Sequence, residues 1–193
     1  LNGQPLTDAE FRRILTEIED KSVYESAKIL RDKLTIERED GSILYVELFN
    51  TKEWCKNIFQ VTSQTTMVGK YKNRYDITIL INGLPLVQIE LKRRGLDFKE
   101  AFNQIQRYRR HTFTGLYRFL QIFVVSNGVD TKYFSNSDYD IQFGFTFFWT
   151  NEKNELITTL QDFASTFLQP CHLAKMISRY MVINDTDKAL MVM

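Results

Sequence analysis

The sequence has few cysteines and no long apolar run, and each shortage narrows what the protein can be. Cys55 and Cys171 lie 116 residues apart without metal-binding spacing, so we expect two reduced thiols of the cytosolic kind. No stretch approaches the roughly 18 consecutive apolar residues that cross a bilayer. The N-terminus lacks a basic segment followed by an apolar one, so we also expect no signal peptide.

Nucleotide-binding and histidine-based metal signatures are missing as well. The Gly-Lys pair of VGKYK, residues 68–72, is not a Walker A loop, because that motif requires G-x-x-x-x-G-K-[ST]. His111 and His172 show no metal-ligand spacing. We therefore expect no ATP site in this chain and structural or exposed positions for both histidines.

The residues that are present describe an ordinary globular chain, with 44% hydrophobic and 25% charged residues and only 3 prolines. A length of 193 residues fits one substantial domain, or one domain with an appendage. The chain begins with Leu1 rather than methionine and ends in the apolar run ALMVM. We therefore expect a piece of a longer polypeptide.

The overall charge of +1 hides an uneven distribution. Residues 1–50 hold seven Lys/Arg against eleven Asp/Glu, whereas residues 92–118 hold eight against two. A basic stripe inside a nearly neutral chain is typical of a phosphate-binding face. A solvated helix face would give the same pattern, so charge alone leaves both interpretations open.

Hydrophobic periodicity predicts the order helix, meander, helix, strand, followed by two more helices. Thr7 and Glu10 have the spacing of a capping box ahead of the first helix. The predicted elements are helices over 7–19 and 22–33, strands on both sides of Asp40-Gly41, strands near 57–66, 75–81 and 86–92, a helix over 98–111, a strand near 120–128, and helices over 152–168 and 170–182. This order predicts an α/β fold with a mixed central β-sheet flanked by helices and a core over about 20–150.

The hairpin DITILINGLPLVQIELKRRG places charged residues next to apolar strands. Alternation puts Gln88, Glu90 and Lys92 on one face, opposite the apolar positions that can pack against a helix. Asp76 lies on the partner strand and falls opposite residue 89, 90 or 91, depending on the length of the loop around Asn82-Gly83. A three-residue loop would pair Asp76 with Glu90 directly.

Two facing carboxylates repel each other unless a cation lies between them. Mg²⁺ suits this position, because it prefers oxygen ligands and is commonly held by one or two carboxylates with water and phosphate. The backbone carbonyl of Leu91 could add a ligand, and Lys92 could position a water or stabilise charge on a phosphate. The pattern predicts metal-assisted phosphodiester hydrolysis by Asp76, Glu90 and Lys92. An exposed edge hairpin with ordinary surface charges is the alternative.

Two elements of the sequence resemble a known nuclease superfamily. Asp76, followed after 13 residues by Glu90-Leu91-Lys92, resembles the PD-(D/E)xK nuclease motif, although Tyr75 stands where that motif has proline. On the next helix, Gln104 and Tyr108 are four residues apart and resemble the QxxxY element of the RecB-like branch. Over residues 70–128 the chain is similar to the motor (restriction, R) subunit of type I restriction enzymes. In that family an N-terminal nuclease domain precedes two helicase-type domains that translocate DNA.

The resemblance implies one nuclease domain over 1–193 with a restriction-endonuclease-like core, whose C-terminal helices, about 152–182, lead to the motor domains. It implies Asp76, Glu90 and Lys92 as catalytic residues, with Gln104 and Tyr108 in support. It also implies double-stranded DNA as substrate, Mg²⁺ as cofactor, ATP in the motor domains only, and a prokaryotic cytoplasmic location without a membrane. The implied partners are the modification and specificity subunits and the rest of the same polypeptide.

Because the basic stripe lies next to a nuclease motif, we interpret its arginines as contacts to DNA phosphates. The residues concerned are Arg93, Arg94, Arg107, Arg109 and Arg110. Some relatives also recruit an acidic residue from an early helix to the metal. The candidates in this sequence, Glu10, Glu17 and Glu19, are expected at the surface, and the sequence does not choose among them.

Two other functions compete with a restriction nuclease. A repair or recombination nuclease of the same fold would lack helicase motifs downstream of this chain. A DNA-binding or docking module would keep the fold without catalysis, and the presence of Asp76, Glu90 and Lys92 together counts against that alternative.

Overall fold

The computed structural model describes residues 2–68 and 72–192, so the Gly-Lys pair at 69–70 lies outside the described residues. Its helices and strands, in chain order, are α1 (Asp8–Ile18), α2 (Val23–Arg31), β1 (Lys33–Glu37), β2 (Ile43–Glu47), β3 (Phe59–Val68), β4 (Lys72–Ile81), β5 (Leu84–Leu91), α3 (Lys99–His111), β6 (Ile122–Ser126), β7 (Thr131–Ser135), β8 (Trp149–Thr150), β9 (Leu156–Ile157), α4 (Leu160–Thr166), α5 (Pro170–Lys175), β10 (Met181–Asn184) and β11 (Ala189–Val192). Among the described residues, no helix is long and apolar enough to span a membrane.

A five-stranded sheet in the order β3-β4-β5-β6-β7 forms the centre of the fold. Strands β5 and β6 are parallel, and the other neighbours are antiparallel. Helix α3 lies in the connection between the two parallel strands, as parallel pairing requires a crossover. The predicted α/β fold with a mixed central sheet is confirmed, and it is consistent with the nuclease-like core that the resemblance implies.

Side chains on the two faces of the sheet pack into two separate hydrophobic clusters. On the first face, called here the apolar face, Val87, Ile89 and Val124 join a cluster with residues of α1, α2 and α5. On the second face, called here the α3 face, Phe123 and Val125 pack with residues of α3. Because β5 is covered on both faces, it is buried almost throughout its length.

The N-terminal helices follow their capping signals. The predicted capping box of α1 is present, with the Glu10 amide donating to Thr7 Oγ1 at 3.2 Å and the Thr7 amide donating to Glu10 Oε2 at 2.8 Å. Glu10 is only 4% exposed, so its expected surface position is wrong. It forms an ion pair with Arg38 at 2.9 Å and is therefore committed to the N-terminal scaffold.

The C-terminal part of the chain differs from the two predicted helices. Residues 152–159 do not form a helix: strands β8 and β9 pair across a turn in which Asn151 Oδ1 accepts from the amides of Lys153 and Glu155. Helix α5 continues as a π-helical turn over Met176–Tyr180, and the chain then forms the β10–β11 hairpin. Side-chain hydrogen bonding to the backbone at Asn151 outcompetes a weak helical pattern.

The expected reduced thiols are also wrong, because Cys55 and Cys171 form a disulfide with an S–S distance of 2.02 Å. Cys55 lies in the 3₁₀ turn Trp54–Lys56 and Cys171 in α5. Trp54 and Leu173, next to these cysteines, pack into the cluster on the apolar face. The separation of 116 residues in sequence therefore did not indicate the distance in space, since the fold brings the two Cα atoms to 4.6 Å from each other.

Candidate active site

A β-bulge sets the register of the hairpin that carries the predicted site. The turn consists of Asn82 and Gly83, with φ values of 53° and 84°, as two-residue hairpin turns require. Ile81 pairs with Leu84 beside the turn, but further along Ile77 pairs with Ile89, because the register shifts by one residue between Ile79 and Leu80.

This shift decides which residue faces Asp76. Without it, Asp76 would lie opposite Ile89 and the two carboxylates would be on different faces. The register beyond the shift, continued by one pair, places Asp76 opposite Glu90. The sequence left the loop length and the partner of Asp76 open. The structure has a two-residue turn and a bulge, which together lead to the register that a three-residue loop would have given.

The strands β4 and β5 separate at this point. The backbone pairing between them ends at Ile77 and Ile89. Beyond this pair, the backbone amide of Leu91 donates a hydrogen bond to the side-chain carboxylate of Asp76, at 2.8 Å to Oδ2. On the other side of β4, the ladder with β3 skips Gln64, which lies opposite Asp76 and has a φ of 53°. The sheet is thus irregular on both sides of Asp76.

Glu90 is fully buried, with an exposed fraction of 0%. Its Oε1 accepts a hydrogen bond from Gln88 Nε2 at 3.0 Å, whereas its Oε2 is buried and has no hydrogen-bond partner. The pKa of Glu90 is raised to about 8, first by burial and then by the negative charge of Asp76, while the Gln88 amide acts in the opposite direction. A buried carboxylate with one unsatisfied oxygen is expensive and requires an explanation.

Lys92 is held by the helix that carries the second motif. Its Nζ donates to Gln104 Oε1, and Gln104 Nε2 donates to Tyr108 Oη. Tyr108 Oη in turn donates to the backbone carbonyl of Arg74 at 3.1 Å, and burial raises the pKa of Tyr108. Gln104 and Tyr108 therefore connect the end of β5 to α3 and to β4.

Tyr75 fills the position of the missing motif proline. Its ring is fully buried on the α3 face and lies 4.9 Å from the ring of Tyr108 and 5.1 Å from that of Phe113, measured between centroids. Burial raises the pKa of Tyr75 to about 12, so its hydroxyl stays neutral. The residue before Asp76 thus serves as packing that fixes β4 against α3.

The predicted basic residues divide into two groups. Arg93 and Arg94 are exposed in the loop after β5, and Arg107 is exposed on α3 with its guanidinium 5.7 Å from the Tyr108 ring centroid. Arg109 instead donates to Asn136, Ser137 and Tyr139, and burial lowers its pKa to about 10. Arg110 donates to both carboxylate oxygens of Asp140 at 3.0 Å. The first group is open to a ligand, and the second is bound to the protein.

The acidic residues of α1 do not join Asp76 and Glu90. Glu10 binds Arg38 and Glu17 binds Lys21 at 3.4 Å. Within residues 2–68 and 72–192, no group of three or more His, Cys, Asp or Glu side chains could hold a metal ion. Asp76 and Glu90 are therefore not joined by a third side chain of these types within the described residues.

Sequence analysis did not single out two residues that make hydrogen bonds to the candidate site residues. Arg74 is exposed two residues before Asp76, and its backbone carbonyl receives the Tyr108 hydrogen bond. Thr78 Oγ1 donates to Gln88 Oε1 at 2.7 Å, which connects it to Glu90. The two-residue spacing of Gln88 from Glu90, and of Thr78 from Asp76, was the available signal.

Comparison with known proteins places the chain in a family. A family model described as "Type I restriction enzyme R protein N terminus" matches residues 1–140. The chain belongs to this family. The match includes the whole β4–β5 hairpin and helix α3.

Individual relatives agree with the family assignment. The chain is 58% identical over 193 residues to the "Type I restriction enzyme SauCOLORF180P endonuclease subunit" of Staphylococcus aureus (strain COL), covering 100% of this chain and 21% of the relative. It is 41% identical over 203 residues to the EcoprrI endonuclease subunit of Escherichia coli, covering 100% of this chain and 64% of the relative. The chain thus spans about a fifth of the length of its staphylococcal relatives.

Proposed function

We propose that this chain is the Mg²⁺-dependent cleavage domain of a type I restriction enzyme and hydrolyses phosphodiester bonds of double-stranded DNA. The observation that carries the proposal is Glu90 Oε2, a buried carboxylate oxygen without a hydrogen-bond partner next to the carboxylate of Asp76. A divalent cation between the two carboxylates would satisfy this oxygen and remove their repulsion.

The donor set fits magnesium. Asp76, Glu90 and the backbone carbonyl of Leu91 would hold the ion through oxygen atoms only, which is the chemistry Mg²⁺ prefers. When bound, Mg²⁺ supplies Lewis-acid stabilisation of charge on the phosphate and lowers the pKa of a water. Asp76 keeps Oδ1 for this purpose, since Oδ2 accepts from the Leu91 amide.

In this proposal Lys92 is the catalytic cation that the protein itself contributes. Gln104 Oε1 accepts one of its three N–H bonds, so the ammonium is fixed in direction while two donors stay available. In the proposed role these donors bind a phosphate oxygen and the attacking water, which stabilises developing negative charge. Gln104 and Tyr108 act by holding Lys92 in place.

The exposed arginines around this site form the proposed phosphate-binding surface. Arg93, Arg94 and Arg107 have no ion pair among the described residues, and Arg74 lies on the strand that carries Asp76. Such contacts bind the DNA backbone without reading its sequence and weaken as salt is added. Arg109 stabilises the segment around residues 136–139 instead.

The names of the relatives and the resemblance support a larger assembly. We propose modification and specificity subunits as partners, an ATP-driven helicase-type motor in the longer polypeptide, and a location in the prokaryotic cytoplasm. The names of the relatives favour restriction over repair or recombination, since they are called type I restriction enzyme endonuclease subunits.

Replacing Lys92 tests the proposal most simply. In the complete restriction enzyme, Lys92→Ala should abolish DNA cleavage and leave ATP hydrolysis and translocation unchanged, because the motor does not use this side chain. Lys99→Ala is the matched control: Lys99 is an exposed lysine at the start of α3, 5.5 Å from the Phe143 ring centroid. Cleavage that persists in Lys92→Ala would contradict the proposed catalytic site.

A further inference from the structure

Three buried polar side chains form a chain of hydrogen bonds on the α3 face. Thr78 Oγ1 donates to Gln88 Oε1 at 2.7 Å, and Gln88 Nε2 donates to Glu90 Oε1 at 3.0 Å. The exposed fractions are 1% for Thr78 and 0% for both Gln88 and Glu90. This series of hydrogen bonds thus connects β4 to β5 without contact with solvent.

An amide in this position is unusual for β5. The other residues of the strand, LPLVQIEL, are apolar apart from Gln88 and Glu90. A buried polar side chain is stable only when its hydrogen bonds are made, and an apolar residue of similar size would fill the same space without that requirement. Gln88 meets the requirement through Thr78 and Glu90 together.

The carboxylate of Glu90 fixes the direction of the amide. An ionised carboxylate, the form that binds a cation, only accepts hydrogen bonds, so the Gln88 nitrogen must face Glu90. The Gln88 oxygen then faces Thr78, whose hydroxyl donates to it. Rotating the amide by half a turn would oppose two oxygens at Glu90 and lose that bond.

We propose that Gln88 is a positioning residue for Glu90, and that Thr78 fixes Gln88 in turn: the amide binds Oε1 and thereby keeps Oε2 as the oxygen available to a cation beside Asp76. The inference rests on the proposed cation site and adds two residues to it. Groups that orient metal ligands typically change metal affinity by about 10- to 100-fold when they are replaced.

The test is Mn²⁺ affinity, measured on this chain by electron paramagnetic resonance in the absence of DNA. Gln88→Leu should weaken Mn²⁺ binding by about tenfold, because Glu90 then rotates without its donor. Ile89→Val is the matched control, since it changes the neighbouring residue on the apolar face. Its Mn²⁺ affinity should equal that of the unchanged protein.

Thr78 supplies a second pair of variants that keeps the test valid if Gln88→Leu folds poorly. Thr78→Val preserves the shape and removes the hydroxyl, so it should weaken Mn²⁺ binding. Thr78→Ser preserves the hydroxyl and removes a methyl group, so it should restore the affinity. A purely structural role predicts the reverse order, because Val fills the buried space better than Ser.

The outcomes separate this inference from the proposed function. Unchanged affinity in both Gln88→Leu and Thr78→Val, together with lost binding in Asp76→Asn, would overturn the positioning role and leave the cation site intact. Binding to the unchanged protein that is no stronger than binding to Asp76→Asn would overturn the cation site and the inference with it.

Discussion

The two faces of the central sheet are buried to a similar degree but differ in chemistry. On the apolar face, β5 contributes Val87 and Ile89 to a hydrophobic cluster shared with residues of α1, α2 and α5. On the α3 face, the same strand contributes Gln88 and Glu90, with a carboxylate oxygen that has no partner. Alternate residues of β5 therefore have different roles: Val87 and Ile89 stabilise the fold, and Gln88 and Glu90 belong to the proposed site.

The difference shows how a site can be held rigidly at a cost in stability. A folded chain avoids buried charge unless the charge is paired or binds an ion. The hydrophobic clusters on both faces and the disulfide favour the folded state despite the buried carboxylate. Changes on the apolar face should therefore alter stability alone, whereas changes at Gln88 or Glu90 should alter the site as well.

The largest expected effect concerns the disulfide on the apolar face. Reduction of Cys55–Cys171, which closes a long loop, should lower the free energy of unfolding by about 2–4 kcal/mol. Mn²⁺ affinity should not change, because neither cysteine contacts the α3 face. Urea unfolding with and without reductant measures the first quantity, and the double variant Cys55→Ser/Cys171→Ser should not respond to reductant. An equal midpoint in both conditions would contradict the bond.

An effect of opposite sign is expected from Glu90→Gln. The pKa of Glu90 is raised from 4.5 to about 8 in the folded protein, so its stabilising contribution is complete below about pH 4.5 and is lost as the pH rises through 8. Without divalent cations, Glu90→Gln should therefore be more stable than the unchanged protein at pH 9, and this advantage should disappear as the pH is lowered to 4.

Thermal unfolding in EDTA at a series of pH values measures this difference. Glu100→Gln, which changes an exposed carboxylate on α3, is the matched control and should show no such trend. A Glu90→Gln variant that is less stable at pH 9 would mean that Glu90 is satisfied in the folded state.

The smallest effect on stability is expected at the exposed arginines. Arg107→Ala should leave the unfolding free energy within about 0.5 kcal/mol and weaken nonspecific duplex binding, reducing the slope of log K against log[salt] by about 1. Arg110→Ala, on the same helix, should leave the slope unchanged because Asp140 already binds it. Titrations of the complete enzyme over a salt series measure both slopes. Equal slopes for the two variants would contradict the division of the arginines into a group that contacts phosphate and a group bound to the protein.

Local patterns predicted the parts of this molecule that depend on local chemistry. The Thr7 capping box, helix α3 and the buried strand β6 were all predicted from spacing alone. The alternation along β5 correctly placed Gln88 and Glu90 on one face. The mixed sheet followed from the order of these elements.

The remaining features depend on contacts between distant residues. The register of the hairpin depends on a bulge beside Pro85. A proline in a strand is compatible with a bulge but does not fix the register beyond it, so Asp76 could be assigned to a face only as one of three alternatives. The Cys55–Cys171 bond depends on how α5 packs. The two groups of arginines look alike in sequence, and Asp140 and Tyr139, some thirty residues away, separate them.

A crystal of this chain soaked with Mn²⁺ tests the central claim most directly. The account predicts one anomalous peak on the α3 face, within about 2.5 Å of a carboxylate oxygen of Asp76 and of Glu90 Oε2. A soaked crystal without a peak at this position, in which Glu90 Oε2 binds a protein donor or a proton shared with Asp76 instead, would contradict it.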